Sequence, residues 1–433
     1  MTILNRAQEA RKASLILAAV SSDLKNKALE AMAAALEDSK AEIIQANRED
    51  YRRSEKADLP GPLLKRLIFE DEKISQVIEG IRSLVSMKDP VGETQMAREL
   101  SPGLDLYRIS CPIGVVGIIF ESRPDALVQI SSLCLKSGNA LLLKGGSEAA
   151  ETNRVLSRII HDSTVKAGLP SGWIQLVETR SDVNDMFRLN EYIDLLIPRG
   201  SNSFVKYIME NSSIPVLGHS DGICHIYIHD DADLQIINPI VLDSKTQYVA
   251  ACNSVETLLV HKKIASSVLP GLQKVLEEKS VELVGCDRCR EIIDVAPASE
   301  EDWSTEYVDY KLSIKIVDSL DDAVQHINSF GSGHTDAILT ASKECSSAFM
   351  ARVDASSVFW NCSTRFSDGF RYGFGAEIGV STSKIHARGP VGMEGLMIYK
   401  YKLLGSGQTV ASFSTGENEY THKPLEENLQ SDK

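Results

Sequence analysis

Long apolar runs are missing from this chain of 433 residues. Nothing approaches the ~18 consecutive apolar residues that a membrane-spanning helix requires. An excess of positive charge is missing as well. With 46 Lys and Arg against 60 Asp and Glu, the formal net charge is −14, which argues against a phosphate backbone or an anionic membrane as the main partner. Local basic pockets for small anions stay open. The opening stretch, MTILNRAQEARKASLILAAV, is polar and amphipathic and lacks the apolar core and cleavage site of a secretion signal, so the cytoplasm is the expected compartment. Eight scattered cysteines argue against a disulfide framework and suit reduced thiols. One close pair, Cys286 and Cys289 in VGCDRCREI, has no second ligand pair at zinc spacing behind it. No metal site is expected, and two thiols at one edge of an element is the plainer reading. Internal repeats, a G-x-G-x-x-G fingerprint and a Walker motif are all absent.

What is present is ordinary globular composition, 43% apolar and 24% charged. The length suits roughly two to three domains. The first ninety or so residues are helical by pattern, with NKALEAMAAALEDSKAEIIQANREDYRRSEK repeating apolar residues every three or four positions until Pro60-Gly61 breaks the run. After Pro90 the segment ELSPGLDLYRISCP reads as a β-ribbon or connecting arm. Apolar strands then alternate with helices: Ile113–Phe120, Ala140–Lys144, Ile174–Glu178, Asp194–Gly200 and Cys224–His229 form a first series. ETLLVH, SIKIVD, AILT and SSVFWN form a second, with a boundary near Asp230 to Asp233. Such alternation marks parallel sheets covered on both faces, an α/β fold. The final STGENEYTHKPLEENLQSDK is polar and expected to be disordered.

Three short motifs could carry chemistry. In NALLLKGGSEAAETNRVL, Lys144 ends a strand, Gly145 and Gly146 allow a tight turn, and Ser147 can cap the next helix with Glu148 in its first turn. A helix start of that kind attracts phosphate or ribose oxygens, and the strand end aims Lys144 across the sheet edge where nucleotides bind. A solvated lysine before an ordinary glycine turn would look the same. DLLIPRGSNSFVKYI repeats the grammar at Gly200-Ser201 without deciding between ATP, NAD and NADP. QYVAACNSVETLL sets Cys252 and Asn253 among small residues that would let a substrate approach. A cysteine beside a strand is more often core packing, so this motif alone leaves the thiol's role open.

Taken in order, these motifs resemble the aldehyde dehydrogenase superfamily. The phrases IGVVGIIFESRPDALVQ, SGNALLLKGGSEA, AACNSVETLLVH, TEYVDYKLSIKIVDS, FGSGHTDAILT and STRFSDGFRYGFGAEIGVSTSKIHARGPVG resemble, within it, the reductases of gamma-glutamyl phosphate. They span roughly Leu106 to Gly405. The resemblance implies two Rossmann-type α/β domains with a small β oligomerisation arm. The cofactor domain would occupy 1–230, with 98–112 lent to the arm; the catalytic domain 231–390; the return segment and arm 391–413; and the disordered tail 414–433. The arm would pair SPGLDLYRIS with the segment after Met397. NADPH would be the cofactor, with Lys144 on the adenosine ribose and Glu306 on the nicotinamide ribose. Ser147 stands where NAD-preferring relatives hold a glutamate, and a small hydroxyl there leaves room for a 2′-phosphate. Gly200 and Ser201 complete the cofactor set. A surface carboxylate is the plainer fate of Glu306, as solvent exposure is of any single arginine.

The resemblance also implies the chemistry. Hydride does not reduce a carboxylate, but an acyl phosphate has a good leaving group. Cys252 would displace phosphate from L-glutamate 5-phosphate as a thioester, and reduction would release L-glutamate 5-semialdehyde, which cyclises to pyrroline-5-carboxylate. The Cys252 backbone N–H is the leading oxyanion donor; Ser122 stands where the superfamily often has an asparagine, with Asn253 as a substitute. Gly218 stands where oxidising relatives keep a glutamate base, and His219 beside it could do acid–base work or be structural. Arg123 and Arg365 are assigned to the substrate's anionic groups, with Arg388, Lys384 and His386 close by in the sequence. The partners expected are the small-molecule substrate, further copies of the chain in a homo-oligomer, and a separate glutamate kinase that the match leaves no room to fuse. An oxidising aldehyde dehydrogenase and a non-catalytic descendant of the fold are the competing readings.

Overall fold

The computed structural model describes residues 2–178, 180–219, 221–374 and 377–426. Five helices open the chain: Ile3–Leu17, Ser22–Asp38, Lys40–Lys56, Gly61–Leu67 and Asp71–Ser86. The expected apolar stripe, with Leu29, Met32, Leu36, Ile74, Ile78 and Ile81, is buried against the helices that cover the first sheet. Strands β1 (Thr94–Ser101) and β2 (Leu104–Pro112) form an antiparallel hairpin that turns at Gly103, where φ is +75° and a side chain would be strained.

The cofactor-type sheet comprises β3 (Val115–Phe120), β4 (Ala140–Gly145), β5 (Ile174–Leu176) and β6 (Leu195–Arg199). All its pairs are parallel, in the order β5-β4-β3-β6. Every residue of β3 and β4 is buried, as expected of strands covered on both faces. Strand order reverses at β3, which opens a crevice at the carboxyl ends of β3 and β6, the usual place for a nucleotide in such sheets.

The second sheet contains β7 (Cys224–Ile228), β8 (Val255–His261), β9 (Glu282–Gly285), β10 (Ala296–Pro297), β11 (Lys311–Val317), β12 (Thr335–Leu339) and β13 (Ser357–Trp360). They run parallel in the order β10-β9-β11-β8-β7-β12-β13. Cys224–His229, counted by sequence with the first series, thus lies in the middle of the second sheet. A fully apolar strand suits either sheet, and only its pairing with β8 and β12 decides. The chain then returns through a ribbon of β14 (Gly379–Ser381) and β15 (Gly389–Val391). Ile378 and Val391 already pack in the core of the first unit, so the return begins ahead of residue 391.

Strand β16 (Met397–Leu404) pairs with β2 from Met397 opposite Pro112 to Leu404 opposite Asp105. It leaves Ile398, Tyr399, Tyr401 and Leu403 exposed. A helix covers Val410–Ser414 just ahead of the polar tail, and within the tail β17 (Lys423–Pro424) pairs with Arg98 and Glu99 of β1, a departure from the expected disorder. An open edge of the hairpin supplies backbone partners that composition does not reveal. Residues 427–433 lie outside the described residues. Among the described residues, no helix is long and apolar enough to cross a membrane.

One buried group makes stability depend on pH. His326 is packed among Trp303, Phe330 and His225, and Lys315 donates to its Nδ1 at 3.2 Å. Burial, then His225 and Lys315, push its pKa down from 6.5 to about 3. The unfolded chain therefore binds this proton first, so the contribution is full above pH 6.5 and lost as pH falls toward 3. Going from pH 7 to 5 should cost about 2 kcal/mol through this residue. In denaturant unfolding at a series of pH values, His326→Gln should flatten that slope; an unchanged slope would mean the native imidazole is already charged.

Candidate active site

Cys252 sits in the turn that leads into β8, flanked by Tyr248-Val249-Ala250-Ala251 and partly open to solvent. Gly222, just ahead of β7, packs onto its backbone. A Cβ on Gly222 would lie 2.5 Å from the Cα of Cys252, so only glycine lets the two segments meet. Below, the Cys224 thiol donates to the Cys252 carbonyl at 3.2 Å. Among the described residues the Cys252 N–H has no acceptor, which leaves it available to a developing oxyanion.

The sulfur faces His334 Nε2 at 3.1 Å. His334 is fully buried at the start of the loop into β12. Its Nδ1 meets Thr335 Oγ1 at 2.8 Å, and its carbonyl accepts from Ser356 Oγ. The preceding Gly331-Ser332-Gly333 turn is anchored where Ile223 N–H donates to Ser332 Oγ at 2.9 Å, which joins the His334 loop to the Gly222 segment. With the Nδ1 proton on Thr335, the Nε2 lone pair accepts the thiol proton. His219 stands edge-on to His334, ring centroids 4.9 Å apart, and its Nδ1 lies 2.9 Å from the Val380 carbonyl. The sequence reading singled out His219 beside Gly218 but passed over His334. The glycines of FGSGHTDAILT were the available signal, because they imply a backbone that must come close to something.

Around the sulfur the protein gathers guanidinium groups. Arg365, 8% exposed, donates from Nε to Gln247 Oε1 at 2.9 Å, and among the described residues its terminal N–H groups have no partner. Burial, then Arg371, lowers its pKa, while a charge on Cys252 would raise it. Arg199, at the end of β6, donates to the Glu377 carbonyl at 3.2 Å and lies 3.7 Å from its carboxylate. Burial, then Arg123, lowers the pKa of Arg199, with Glu377 and Cys252 opposing. Arg123 pairs with Asp125 at 2.9 Å. Arg365 and Arg199, each lowered in pKa by burial and then by a neighbouring guanidinium, make a seat that an anion would relieve, whereas in Arg123 burial is outweighed by the paired Asp125 and the pKa is raised. Arg199 was not foreseen; nothing in DLLIPRG distinguishes it from a solvent-facing arginine. Lys384 and Arg388 instead pair with Asp354 at 2.5 and 3.0 Å, and His386 Nε2 meets the Gly395 carbonyl at 2.9 Å.

Several expected donors are already occupied. Ser122, at φ +46°, turns the chain from β3 into the helix Pro124–Ser137, and gives both its N–H and its hydroxyl to Glu148 Oε1, at 2.5 and 2.9 Å. Asn253 Nδ2 donates to the Ser367 carbonyl at 2.8 Å while Thr364 Oγ1 donates to the Asn253 carbonyl at 2.7 Å. Asn253 thereby ties the segment bearing Arg365 to the segment bearing the sulfur.

At the cofactor edge, Ser147 does not cap the following helix. It lies in a 3-10 turn, and Asp50 from the helix Lys40–Lys56 caps instead, accepting from the N–H groups of Glu151 and Thr152 at 3.2 and 2.8 Å. A fully buried carboxylate from about a hundred residues earlier takes the donors that the local motif seemed to offer a phosphate. Lys144 is buried and donates to the Gly145 carbonyl. Ser147 is exposed, and Arg53 Nη2 reaches its carbonyl at 3.0 Å. Ser201 opens the helix Asn202–Asn211, and Asn202 Nδ2 bonds both Glu306 and, at 3.2 Å, Asp221. Asp221 adjoins Gly222, so Glu306 and the Gly200-Ser201 helix start are linked by a short path to Cys252. Cys286 and Cys289 lie elsewhere, beyond the carboxyl end of β9, with sulfurs 3.4 Å apart.

Two parallel α/β units, with a part-exposed thiol facing a buried histidine, define a class. The aldehyde dehydrogenase family model matches residues 2–285, and the chain belongs to that family. Within it, the chain is 61% identical to the gamma-glutamyl phosphate reductase of Pelotomaculum thermopropionicum over 419 residues, covering 97% of this chain and 96% of the relative. It is also 61% identical to that of Acetivibrio thermocellus over 425 residues, 98% and 99%. The crystal structure of gamma-glutamyl phosphate reductase from Thermotoga maritima superposes with a TM-score of 0.92 at 39% identity, covering 94% of this chain and all of that one (100%). An acetylating aldehyde dehydrogenase from Geobacillus thermoglucosidasius, 19% identical with a TM-score of 0.65, shares the fold.

If Gly222 seats the sulfur, Gly222→Ala should lose on the order of 10²-fold in turnover, the cost of a displacement of about 1 Å at a reacting atom. Cofactor affinity, read by fluorescence titration, should hold. Full activity in this variant would show that Cys252 does not depend on that contact.

Proposed function

We propose that this chain reduces L-glutamate 5-phosphate with NADPH to L-glutamate 5-semialdehyde and phosphate, a step of proline biosynthesis. The observation that carries the reading is the Cys252 sulfur set 3.1 Å from His334 Nε2 and ringed by Arg199 and Arg365, a nucleophile beside a base in an anion-seeking seat. The gamma-glutamyl phosphate reductases that match nearly the whole chain support it.

His334 takes the thiol proton as sulfur attacks the acyl carbon, and passes it to the departing phosphate. The C–O bond to phosphate breaks as the C–S bond forms. The Cys252 N–H donates to the carbonyl oxygen as charge gathers there. Arg365 and Arg199 hold the anionic groups, and Asn253 is a positioning residue that fixes the loop bearing Arg365. When bound, the nicotinamide supplies the hydride that reduces the thioester carbon. Collapse of the resulting alkoxide re-forms the carbonyl and expels the thiolate, which His334 reprotonates from solvent. Gly218, lying 3.5 Å from Pro198 by its would-be Cβ, offers no side-chain base at the place where oxidising relatives activate water, which favours reduction of the thioester over its hydrolysis.

The nucleotide residues fit a dinucleotide at the crevice of β3 and β6. Lys144, Gly200, Ser201 and Glu306 would line it. Ser147 adds no negative charge to the region of the 2′-phosphate, and Arg53, paired with Asp50 at 2.5 Å and within hydrogen-bond reach of the Ser147 carbonyl, places a half-exposed guanidinium beside it. The exposed apolar residues of β16 suit burial against another copy, making the four-stranded sheet an oligomerisation arm. A separate kinase would supply the acyl phosphate, and an unstable intermediate made with ATP places both enzymes in the cytoplasm.

Run in reverse, the purified protein should reduce NADP with pyrroline-5-carboxylate only when inorganic phosphate is added, and Cys252→Ser should abolish this while still binding NADPH. Equal rates without phosphate would instead identify a hydrolytic aldehyde dehydrogenase. Arg53→Ala should raise KM for NADPH about tenfold or more and leave KM for NADH unchanged, the loss expected for one charge-assisted contact of about 1.5–3 kcal/mol. Equal changes for both cofactors would remove Arg53 from 2′-phosphate recognition.

A further inference from the structure

Cys252, His219 and His334 come from three distant segments, yet their ligand atoms all lie within 4.8 Å of one another. We propose that these three residues form a binding site for a thiophilic divalent cation, zinc above all, which reversibly blocks the nucleophile. No sequence spacing announces such a site, because each ligand arrives on a different loop.

The donors, one thiolate and two imidazoles, are ligand types that zinc accepts, and three of them leave a fourth tetrahedral position open. Sulfur and nitrogen ligands on a single tetrahedral zinc lie about 3.5 Å apart. The sulfur of Cys252 and Nε2 of His334 are already 3.1 Å apart, so the third ligand needs only a small approach. The second ring is oriented as well. A carbonyl can only accept, so His219 Nδ1, 2.9 Å from Val380 O, carries the proton, and its Nε2 has no hydrogen-bond partner among the described residues. His334 Nδ1 is likewise engaged, by Thr335 Oγ1 at 2.8 Å. Both rings thus have one nitrogen held by an oxygen partner and the other left to ligate, the arrangement that orients imidazoles around metals.

Charge decides how tight the site can be. Arg199 and Arg365 oppose a dication, whereas the thiolate offsets one charge and Glu377 lies near enough to His219 to interact with it electrostatically. Binding releases the thiol proton to solvent and forms the metal–sulfur bond, with no change of oxidation state. The fourth position stays open to water or an anion. The bound metal occupies the lone pair with which sulfur would attack, and competes directly with the acyl phosphate.

The test titrates the full chain with Co²⁺ and, separately, with Zn²⁺. One equivalent of Co²⁺ should produce a near-ultraviolet thiolate charge-transfer band and the visible bands of four-coordination, and Zn²⁺ should displace it. The band should vanish in Cys252→Ser and weaken about tenfold or more in apparent affinity in His219→Ala. Zn²⁺ should inhibit competitively with the acyl substrate and be reversed by a chelator. A band that survives in Cys252→Ser but is lost in Cys286→Ser would assign the metal to the Cys286/Cys289 pair and overturn the proposal, as would the absence of any thiolate band. The spectra need no turnover. Metal binding without reductase activity would refute the assigned reaction alone, and full activity without metal binding would refute this site alone.

Discussion

The contact between Cys252 Sγ and His334 Nε2 organises the site, and it depends on two backbones that touch neither substrate nor cofactor. Gly222 presses on the cysteine from one side, where any Cβ would collide with it. Ser332 receives the neighbouring Ile223 N–H and so ties the histidine's loop to the same segment. The sulfur and the imidazole are therefore positioned by a shared anchor at the amino ends of β7, β8 and β12. A thiol without that base would be weakly nucleophilic at neutral pH, and a base without that anchor would be poorly aimed.

Electrostatics gives the site its preference. Carboxylates near the site are used for structure: buried Asp50 caps a helix, and the part-buried Glu148 and Glu377 hold the Ser122 turn and steady Arg199. Arg365, buried with no carboxylate paired to it among the described residues, is short of negative charge, and burial makes that shortage costly. A doubly anionic acyl phosphate relieves it, whereas a neutral aldehyde would not. The same crowding keeps the site from holding a dication very tightly, although its one thiolate and two imidazoles are arranged as zinc ligands.

The sequence made the alternation of strands and helices legible, since apolar runs of six residues such as Val115–Phe120 have no other place than a covered sheet. It also singled out Cys252, which the structure sets against His334. It misled at Ser147, where a local N-cap signal was overridden by Asp50, and at Cys224–His229, where an apolar strand could join either sheet. It was silent about His334, Arg199 and Arg53. Histidine and arginine carry no positional signature of their own; their roles come from what a distant segment puts beside them. The tail to residue 426 was read as disordered because its partner, the edge of β1, lies over three hundred residues away.

By itself the sequence determined the secondary-structure periodicity, the shortness of its apolar runs, and the residue types able to do acyl-transfer chemistry, because these follow from local spacing and side-chain chemistry. Only the tertiary structure decided which imidazole meets the sulfur, which carboxylate caps the helix beside the glycine turn, and which arginines converge. Those are distances of a few ångströms between segments far apart in the chain, and they are set by how the sheets and loops pack together.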